Sequence, residues 1–544
     1  MSRQVRGGAL IVAAAIAVIA IVCVAGWAPS PSSRTPLKQL YTPTFGPPPP
    51  HEDAMVSLKN LPGVYAVYNA HQRCCERWQR LPGQISIFAI SLAVVVLAGF
   101  DFRHLRNPRN VDLAIAQVIG WCFFDIMGFS EHMSTSSYNI MDWVFTAVVL
   151  LTLTLLVRAV RRAARGDGPP QPRVILGTTA IAVMALALVS LDVADALGTP
   201  PDDAGYFVNI GAQRLRERGR WPYGDPLLTS TPAAAYGPIL YLAHLPFQFV
   251  LRPHAFNESM TRPPIETSDV YFEPPILATQ LTTIALHIVG VVSLFVVGFR
   301  LAGEQTAWAL VALYCGSTFV LGVGDGDEAI GGMTFVSHMG PSALSLLALA
   351  LLARPAWSGA ALAAAGGALF YPFFFVPAWI GHYSARRREL TQFLAGFGLA
   401  SLVIGGSVLL FSRPAGGKGL IGTIVSDTIG HQESLAAYGR SLFGFWGQRE
   451  GVRKALMTPL ADDQSLTRPV VLAFFVFAAA MFFATRRRGA AQLALVSAAI
   501  AMGAQLWKIH ATGTYVAWYY PLLLIGLFCG APLAAGDAAP RRAT

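Results

Sequence analysis

The sequence predicts an all-α integral membrane protein with about 12 transmembrane helices. Three observations predict this fold class. Of the 544 residues, 54% are hydrophobic and only 13% are charged, the mean hydropathy is +0.50, and the apolar residues are gathered into separate runs. A soluble domain carries about 25% charged residues. Runs of about 20 apolar residues match the ~30 Å of hydrocarbon in a bilayer, and they must be helical because lipid offers unpaired backbone groups no partner.

The apolar runs that are long enough to cross a membrane are spread over the whole chain. They cover residues 9–27, 84–100, 112–130, 141–158, 174–191, 277–299, 305–323, 336–353, 390–411, 468–485, 489–507 and 514–532. The first run follows the basic segment MSRQVR and is longer than the apolar core of a usual secretory signal. We therefore interpret it as a first span and not as a cleaved leader.

Two further apolar runs do not suit a simple crossing. Residues 357–383 lie between basic segments and are broken by Gly366, Gly367 and Pro372, which predicts a pair of short helices that enters and returns. Residues 234–252 are apolar, but a full crossing there would place later arginine clusters on the opposite side. We therefore predict a juxtamembrane or re-entrant helix over 234–252 that belongs to the first large outer loop.

The distribution of basic residues predicts the orientation in the membrane. Arginine-rich loops, expected on the cytoplasmic side, lie at 101–110, 158–173, 385–389 and 485–489. Basic residues at both ends of the chain place both termini in the cytoplasm of a plasma (inner) membrane protein. The net charge of +10 is then explained by the excess of basic residues in the predicted cytoplasmic loops, and no nucleic-acid partner is predicted. The large outer loops expected from this topology are 192–276, 324–335 and 412–467.

A polar, proline-containing segment, ARGDGPPQP, divides the chain into two predicted regions. Residues 1–165 form an N-terminal membrane region of about four spans, with no role assigned. Residues 166–544 form a second membrane domain that carries the motifs described next. The chain has six cysteines without zinc-site spacing, and the four that lie in apolar runs are interpreted as small buried hydrophobes.

The first large outer loop opens with TPPDDAGYFVNIGAQRLRERGRWPYGDP. Asp202 and Asp203 precede a helical pattern that Gly219 is expected to stop, and Trp221 and Tyr223 suit a membrane interface. On local grounds this is a capped interfacial helix, because acidic residues at a helix start satisfy free amides and the helix dipole.

The order of elements in this loop resembles the first outer loop of the C-type glycosyltransferases, the GT-C superfamily. In its lipid A aminoarabinose transferases and protein O-mannosyltransferases, an acidic pair is followed by a tyrosine, a helix, a Gly-x-Trp turn and a Pro-containing segment. Asp202 and Asp203 match the acidic pair, Tyr206 the tyrosine, and residues 219–221 the turn. Asp203 departs from the usual glutamate, and Tyr-Gly-Pro at 236–238 stands where Pro-Pro is common.

Two later segments are similar to the same superfamily, so that the resemblance covers about 174–532 and not the first 165 residues. GVGDGDEAIGG supplies Asp325, Asp327 and Glu328 in an outer loop. LWKIHATGTYVAWYYPLLLIGL matches a late outer motif through Lys508, His510 and Tyr515. In the broken pair, Phe370 or Tyr371 stands where the family often has a lysine, so a phosphate contact is not carried over there.

The resemblance implies a GT-C-like membrane glycosyltransferase that takes a sugar from a polyprenyl phosphate at the extracytoplasmic face. An acceptor hydroxyl needs a base, and Asp202 is the candidate, with Asp203 orienting the acceptor or helping its deprotonation. The leaving phosphate needs cationic groups, for which Lys508 and His510 are candidates. The arginines of the loop helix are further candidates, although they also suit lipid headgroups: Arg214, Arg216, Arg218 and Arg220. The residues expected to bind substrate are Tyr206, Asp325, Asp327, Glu328, His338, Lys508, His510 and Tyr515.

The expected partners are a polyprenyl-phosphate-linked sugar, membrane lipids, and a glycolipid, glycan or protein acceptor. No resident metal or cofactor is assigned. Asp325, Asp327 and Glu328 offer hard oxygen ligands for a divalent cation, and they equally suit a solvated turn. His338 suits either a contact to donor phosphate or an ordinary polar position at the start of a span.

Other functions remain alternatives. A transporter or flippase of a lipid-linked or polar substrate would need charged groups near the membrane midplane and repeated halves, and His287 is a rare example of such a group. A polymerase or ligase of lipid-linked glycans would rely on outer arginines and histidines. An assembly subunit with a decayed site is a non-enzymatic alternative, which the unassigned front region leaves open.

Overall fold

A computed structural model describes residues 83–102, 105, 107–128, 138–165, 176–198, 203–226, 228, 232–251, 276–322, 332–430, 464–507 and 515–530. Within these ranges every regular element is a helix, and the described part of the chain contains no strand. The prediction of an all-α protein is therefore confirmed at that level. The predicted first span, 9–27, lies outside the described residues.

The regular elements in the first half of the described chain are α-helices with a few irregular turns. These helices are α1 Gly83–Val94, α2 Pro108–Gly128, α3 Tyr138–Arg165, α4 Thr178–Gly198, α5 Asp203–Arg218, α6 Pro238–Leu251, α7 Ile276–Ala302, α8 Glu304–Cys315 and α9 Thr318–Leu321. A π-helical turn, Val95–Gly99, continues α1, and a 3₁₀ turn, Pro232–Ala234, precedes α6.

The second half continues in the same way. Its helices are α10 Val336–Ala350, α11 Pro355–Ala368, α12 Val376–Tyr383, α13 Arg387–Phe411, α14 Leu420–Val425, α15 Gln464–Thr485, α16 Ala490–Trp507 and α17 Tyr520–Phe528. The irregular turns of this half are the 3₁₀ segments Gly332–Thr334, Tyr371–Phe375 and Val516–Trp518 and the π-helical segment Ser426–Gly430.

The expected count of about 12 spans is not reproduced. In the described part of the chain, three helices are long and apolar enough to cross a membrane: Thr178–Leu197, Leu277–Ala302 and Arg387–Phe411. The other predicted runs that fall within the described residues form helices, but these are interrupted, shorter or only partly described. The 15 residues of α10, for example, extend about 22 Å at 1.5 Å per residue, which is short of the ~30 Å hydrocarbon layer.

Three local predictions agree with the structure. Residues 357–383 form a broken pair, in which α11 and α12 are separated at Tyr371–Phe375, around Pro372. The segment 234–252 contains the single helix α6. Helix α5 begins at Asp203 and ends before Gly219, whose φ of +62° is the left-handed value that glycine adopts easily.

The core is a bundle of tightly packed apolar helices. Helix α8 packs against α4, α7 and α17, and α16 packs against α3, α15 and α17. Helix α17 is buried along its whole length. Because α3 lies before residue 165 and α16 after it, helices from both predicted regions share this core; the boundary near 165 stays a prediction.

Helix α13 lies at the edge of this bundle and is held mainly by α11. Two glycines let the backbones of these helices approach closely. A Cβ atom at Gly359 would overlap the carbonyl oxygen of Phe393, and one at Gly396 would overlap that of Ala356. Small residues of this kind form contacts between helices in lipid, where apolar surroundings give no hydrophobic drive for association.

We expect Gly396→Ala to destabilise the protein, because its methyl group meets backbone that cannot move without separating α11 from α13. Overpacking of this kind costs about 1–3 kcal/mol. Gly398→Ala, two residues further in the same helix, is the matched control, since a Cβ atom there meets nothing within 4 Å. That control is expected to be neutral or to stabilise the protein by about 0.5–1 kcal/mol. Thermal unfolding of detergent-solubilised protein measures both, and equal effects of the two substitutions would contradict the close contact.

Candidate functional site

Four interruptions of the helices meet in the interior of the bundle. They are the break between α8 and α9, and the 3₁₀ turns Gly332–Thr334, Tyr371–Phe375 and Val516–Trp518. Helix α9 contacts the first and the last of these turns, and Val516–Trp518 contacts α10. Irregular backbone leaves polar groups unpaired, so it must find side-chain partners when it is buried.

Four rings at these interruptions form what we call the aromatic cluster: His338, Tyr371, Tyr515 and Trp518. The rings of His338 and Tyr515 stack with centroids 4.0 Å apart, and those of Tyr371 and Trp518 stack at 4.1 Å. The indole Nε1 of Trp518 donates a hydrogen bond of 2.9 Å to Nδ1 of His338. The cluster therefore joins α10, the broken pair and the segment before α17.

The bond from Trp518 determines the tautomer of His338. An indole N–H only donates, so Nδ1 of the histidine must accept and carries no proton. In the neutral imidazole the proton then resides on Nε2, which becomes a donor. The ring is 8% exposed, so it is almost enclosed by its neighbours. His338 can thus present one oriented N–H group while Tyr515 covers its face.

Side chains from two helices hold the backbone of the turn that carries Tyr515 and Trp518. The amide of Gln505 in α16 donates to the carbonyl of Tyr515 at 3.0 Å and accepts from its N–H at 3.1 Å. The hydroxyl of Ser342 in α10 donates to the carbonyl of Ala517 at 2.6 Å. These three bonds satisfy buried backbone groups and fix the position of the cluster.

The structure brings together two of the residues expected to bind substrate, His338 and Tyr515. Six other expected site residues lie outside the described residues: Asp202, Asp325, Asp327, Glu328, Lys508 and His510. For Asp203 and Tyr206 the structure describes only the backbone, in the first turn of α5. The proposed roles of these eight residues stay predictions.

The loops that carry most of those residues are attached next to the cluster. Gln505, close to the start of one loop, bonds to Tyr515 at its end. On either side of the loop that contains Asp325, Phe319 and Phe335 stack at 6.2 Å, and Phe335 lies 5.6 Å from the ring of His338. Helix α5 is attached to the start of α7 by the hydroxyl of Thr279, which donates to the carbonyl of Gly205 at 3.3 Å.

Two of the four loop arginines are engaged in local structure. Arg214 is almost fully buried and pairs with Asp225 at 2.9 Å. Arg216 donates to the carbonyl of Gln248 in α6 at 3.0 Å. These contacts hold the turn and α6 against α5, which gives both residues a structural role in place of a phosphate contact. Arg218 and Arg220 are exposed.

Trp221 and Tyr223 are buried, whereas the sequence favoured a position at the membrane interface. Both rings pack near Tyr241 of α6. The hydroxyl of Tyr223 donates to the carbonyl of Tyr236 at 2.7 Å, and burial raises the pKa of this phenol well above its ordinary value. The phenol therefore stays neutral and donates the hydrogen bond that joins Tyr223 to the backbone of Tyr236.

A second polar group in the interior was not expected from the sequence. Asp192 of α4, His287 of α7 and Cys315 of α8 are fully or almost fully buried, and one ligand atom from each lies within 4.8 Å of the other two. Nε2 of His287 is 3.1 Å from Oδ2 of Asp192 and 3.9 Å from Sγ of Cys315. We call these residues the buried triad. The signal in the sequence was one polar or thiol residue in each of three apolar segments.

Comparisons of the chain with protein-family models, with curated proteins and with solved structures find no match. The chemistry of the site therefore has to be argued from its own geometry. That geometry offers an oriented imidazole and stacked rings that can cover an apolar or sugar face.

We expect Gln505→Leu to destabilise the protein strongly, because it leaves the N–H and the carbonyl of Tyr515 buried without these partners. Each unsatisfied buried group costs about 1–3 kcal/mol, so a loss of about 2–5 kcal/mol is expected. Gln492→Leu, a half-buried position near the start of the same helix, is the control and should change stability by less than about 1 kcal/mol. Thermal unfolding compares them. A loss no larger than that of the control would mean that the two bonds do not hold the turn.

Proposed function

We propose that the protein is an integral membrane glycosyltransferase with a GT-C-like fold. In this proposal it transfers a sugar from a polyprenyl-phosphate donor to an acceptor hydroxyl at the extracytoplasmic face of the plasma membrane. The remaining predicted spans then cross the bilayer together with the three long apolar helices, and both termini are cytoplasmic.

Exposed apolar surface supports the membrane location. Helix α13 is 25 residues long, and only 11% of its most apolar 18-residue stretch is buried inside the protein. Leu402 and Leu410 on this helix are 70% and 78% exposed, and Phe483 on α15 is 73% exposed. Soluble proteins rarely expose contiguous apolar surface of this extent, and lipid chains are the natural neighbours of such side chains.

The observation that carries the proposed activity is the contact between His338 and Tyr515. These residues are far apart in the sequence, and both were predicted to bind substrate. They stack on one another with Trp518 fixing the histidine tautomer. The resulting Nε2–H is suited to a phosphate oxygen, and the adjacent aromatic rings are suited to a sugar or an isoprenoid chain.

In the proposed reaction the acceptor oxygen attacks the anomeric carbon of the donor. Asp202 removes the hydroxyl proton, a new C–O bond forms, and the bond from the anomeric carbon to the phosphate oxygen breaks. The bonding electrons leave with the polyprenyl phosphate, whose charge Lys508, His510 and the His338 Nε2–H stabilise. The anomeric carbon carries positive character in the transition state, as in other glycosyl transfers.

We expect Asp202→Asn to abolish transfer, because an amide cannot accept the proton. The measurement is sugar transfer from a panel of labelled polyprenyl-phosphate sugars in membranes that contain equal amounts of each protein. A general base contributes about 100- to 10,000-fold to the rate, and a loss in this range is expected. Asp225→Asn, in the same loop but paired with Arg214, is the control and should retain activity. Full transfer by Asp202→Asn would remove this residue from the chemistry.

We expect His338→Phe to raise the KM for the donor about tenfold or more at similar protein level. The substitution keeps an aromatic ring against Tyr515 but removes the Nε2–H donor, and a hydrogen bond to a charged group contributes about 1.5–3 kcal/mol. His382→Phe is the control, because His382 lies in α12 and contacts Arg488. An unchanged KM with a fully folded variant would show that His338 does not contact the donor.

One observation favours a transporter as the second candidate function. Asp192 and His287 are buried in two of the helices that are long enough to span a membrane, and ionisable residues inside such helices often mark ion or substrate pathways. Folded protein that transfers sugar from no donor, but moves a polar or lipid-linked substrate across reconstituted vesicles in a manner that depends on Asp192, would favour the transporter.

A further inference from the structure

The buried triad has the chemical composition of a transition-metal site. It offers one carboxylate oxygen, one imidazole nitrogen and one thiol sulfur, each from a different helix. All three side chains are at most 1% exposed. Zinc binds this combination of oxygen, nitrogen and sulfur ligands, whereas magnesium and calcium prefer oxygen ligands alone.

The spacing of the ligand atoms agrees with that chemistry. Bond lengths of about 2.0–2.3 Å in a tetrahedral site place neighbouring ligand atoms roughly 3.3–3.6 Å apart. In the structure, Nε2 of His287 lies 3.1 Å from the Asp192 carboxylate and 3.9 Å from the Cys315 sulfur. The Asp192 oxygen and the Cys315 sulfur lie within 4.8 Å of each other, so the carboxylate and the thiol must approach one another for all three atoms to reach coordination distance.

The carboxylate of Asp192 is directed into this site and lacks well-aligned partners. It lies 3.1 Å from Nε2 of His287 and also interacts with the Cys315 thiol, but neither of its oxygens makes a hydrogen bond of good geometry within the described part of the chain. A buried carboxylate without such bonds is costly. A divalent ion removes the cost, because one carboxylate and one thiolate together balance its charge and leave a neutral complex in the apolar interior.

The geometry disfavours a nucleophilic Cys-His-Asp arrangement. In such an arrangement the thiol and the carboxylate contact opposite ring nitrogens of the histidine. Here Sγ of Cys315 and Oδ2 of Asp192 both face Nε2 of His287. A carboxylate and a thiol that converge on one nitrogen are better explained by a cation between the three groups.

We propose that Asp192, His287 and Cys315 bind one divalent transition-metal ion of the zinc type. Binding releases the thiol proton of Cys315, and the three protein ligands leave a fourth coordination position. The ion ties α4, α7 and α8 to one another. It lies close to the aromatic cluster, because Tyr314 stacks on His287 at 5.8 Å and its hydroxyl donates to Sδ of Met339, the neighbour of His338.

The test uses the full-length protein purified in detergent, stripped with a chelator and titrated with Co²⁺ as a spectroscopic substitute for Zn²⁺. We expect about one ion per chain, with the visible bands of a tetrahedral site and a thiolate-to-cobalt band in the near ultraviolet. Zn²⁺ should displace the Co²⁺ and bleach both signals.

Variants assign the bands to the triad. Cys315→Ser should remove the thiolate band, and Asp192→Asn should weaken Co²⁺ binding by about 100-fold or more, since even outer-shell changes cost 10- to 100-fold. Cys529→Ser is the matched control, because Cys529 is also a buried free cysteine. A second control replaces the cysteines outside the described residues, which are Cys23, Cys74 and Cys75. Both controls should retain the spectrum of the wild type.

Two results would overturn the proposal. The first is helical, monodisperse wild-type protein that binds no stoichiometric metal and shows no thiolate band; Asp192 and His287 are then only a buried ion pair. The second is a band that persists in Cys315→Ser and disappears in one of the controls. Because the wild-type titration needs no substitution, it decides the matter even if a variant does not fold. The readout is metal binding itself, so it is independent of any sugar-transfer assay.

Discussion

The structure depends on one constraint, which is that every backbone N–H and C=O group inside an apolar bundle needs a partner. Helices satisfy this requirement by themselves, and a break in a helix does not. The breaks in this chain are concentrated around the aromatic cluster, where Gln505, Ser342 and Ser317 bond to the backbone of the interrupted segments. The same side chains that make the breaks tolerable also fix the rings of His338 and Trp518. The breaks in the helices and the candidate site are therefore held in place by the same side chains.

The aromatic cluster and the buried triad are connected through a short path of side chains. Tyr314 contacts His287 with its ring and Met339 with its hydroxyl, while Met339 is adjacent to His338 in α10. A change in the position of α8 would move Tyr314 and Cys315 together. These contacts connect the buried triad to the proposed donor site. They also explain why an apolar core would retain several polar groups at one place.

Much of the fold could be predicted from the sequence because its signals are local. The apolar runs located the helices, Pro372 located the break in the helix pair, and Gly219 marked the end of α5. His338 and Tyr515 were both predicted to bind substrate, but the stacking of their rings was not predicted. The number of spans was not predictable in the same way. Hydropathy counts an apolar run as continuous even where a turn such as the one at Gly316 divides it.

The errors and omissions in the site come from contacts between distant segments. Arg214 pairs with Asp225 because the chain turns back after α5, and an arginine-rich pattern alone does not reveal such a turn. Trp221 and Tyr223 suit either an interface or an interior, and only the position of α6 decides between them. The buried triad was missed because its members belong to three helices, so that no spacing in the sequence connects them.

The close contact between α11 and α13 has a consequence for how far sequences with this fold can diverge. The outward positions of α13 are in contact with little of the protein, so any apolar residue there preserves the helix, and these positions can drift without compensation. Gly359 and Gly396 have no such freedom, because any side chain at either position separates two backbones. Proteins that share this fold are then expected to vary freely along the outward positions of α13 and to keep a residue without a side chain at both contact positions.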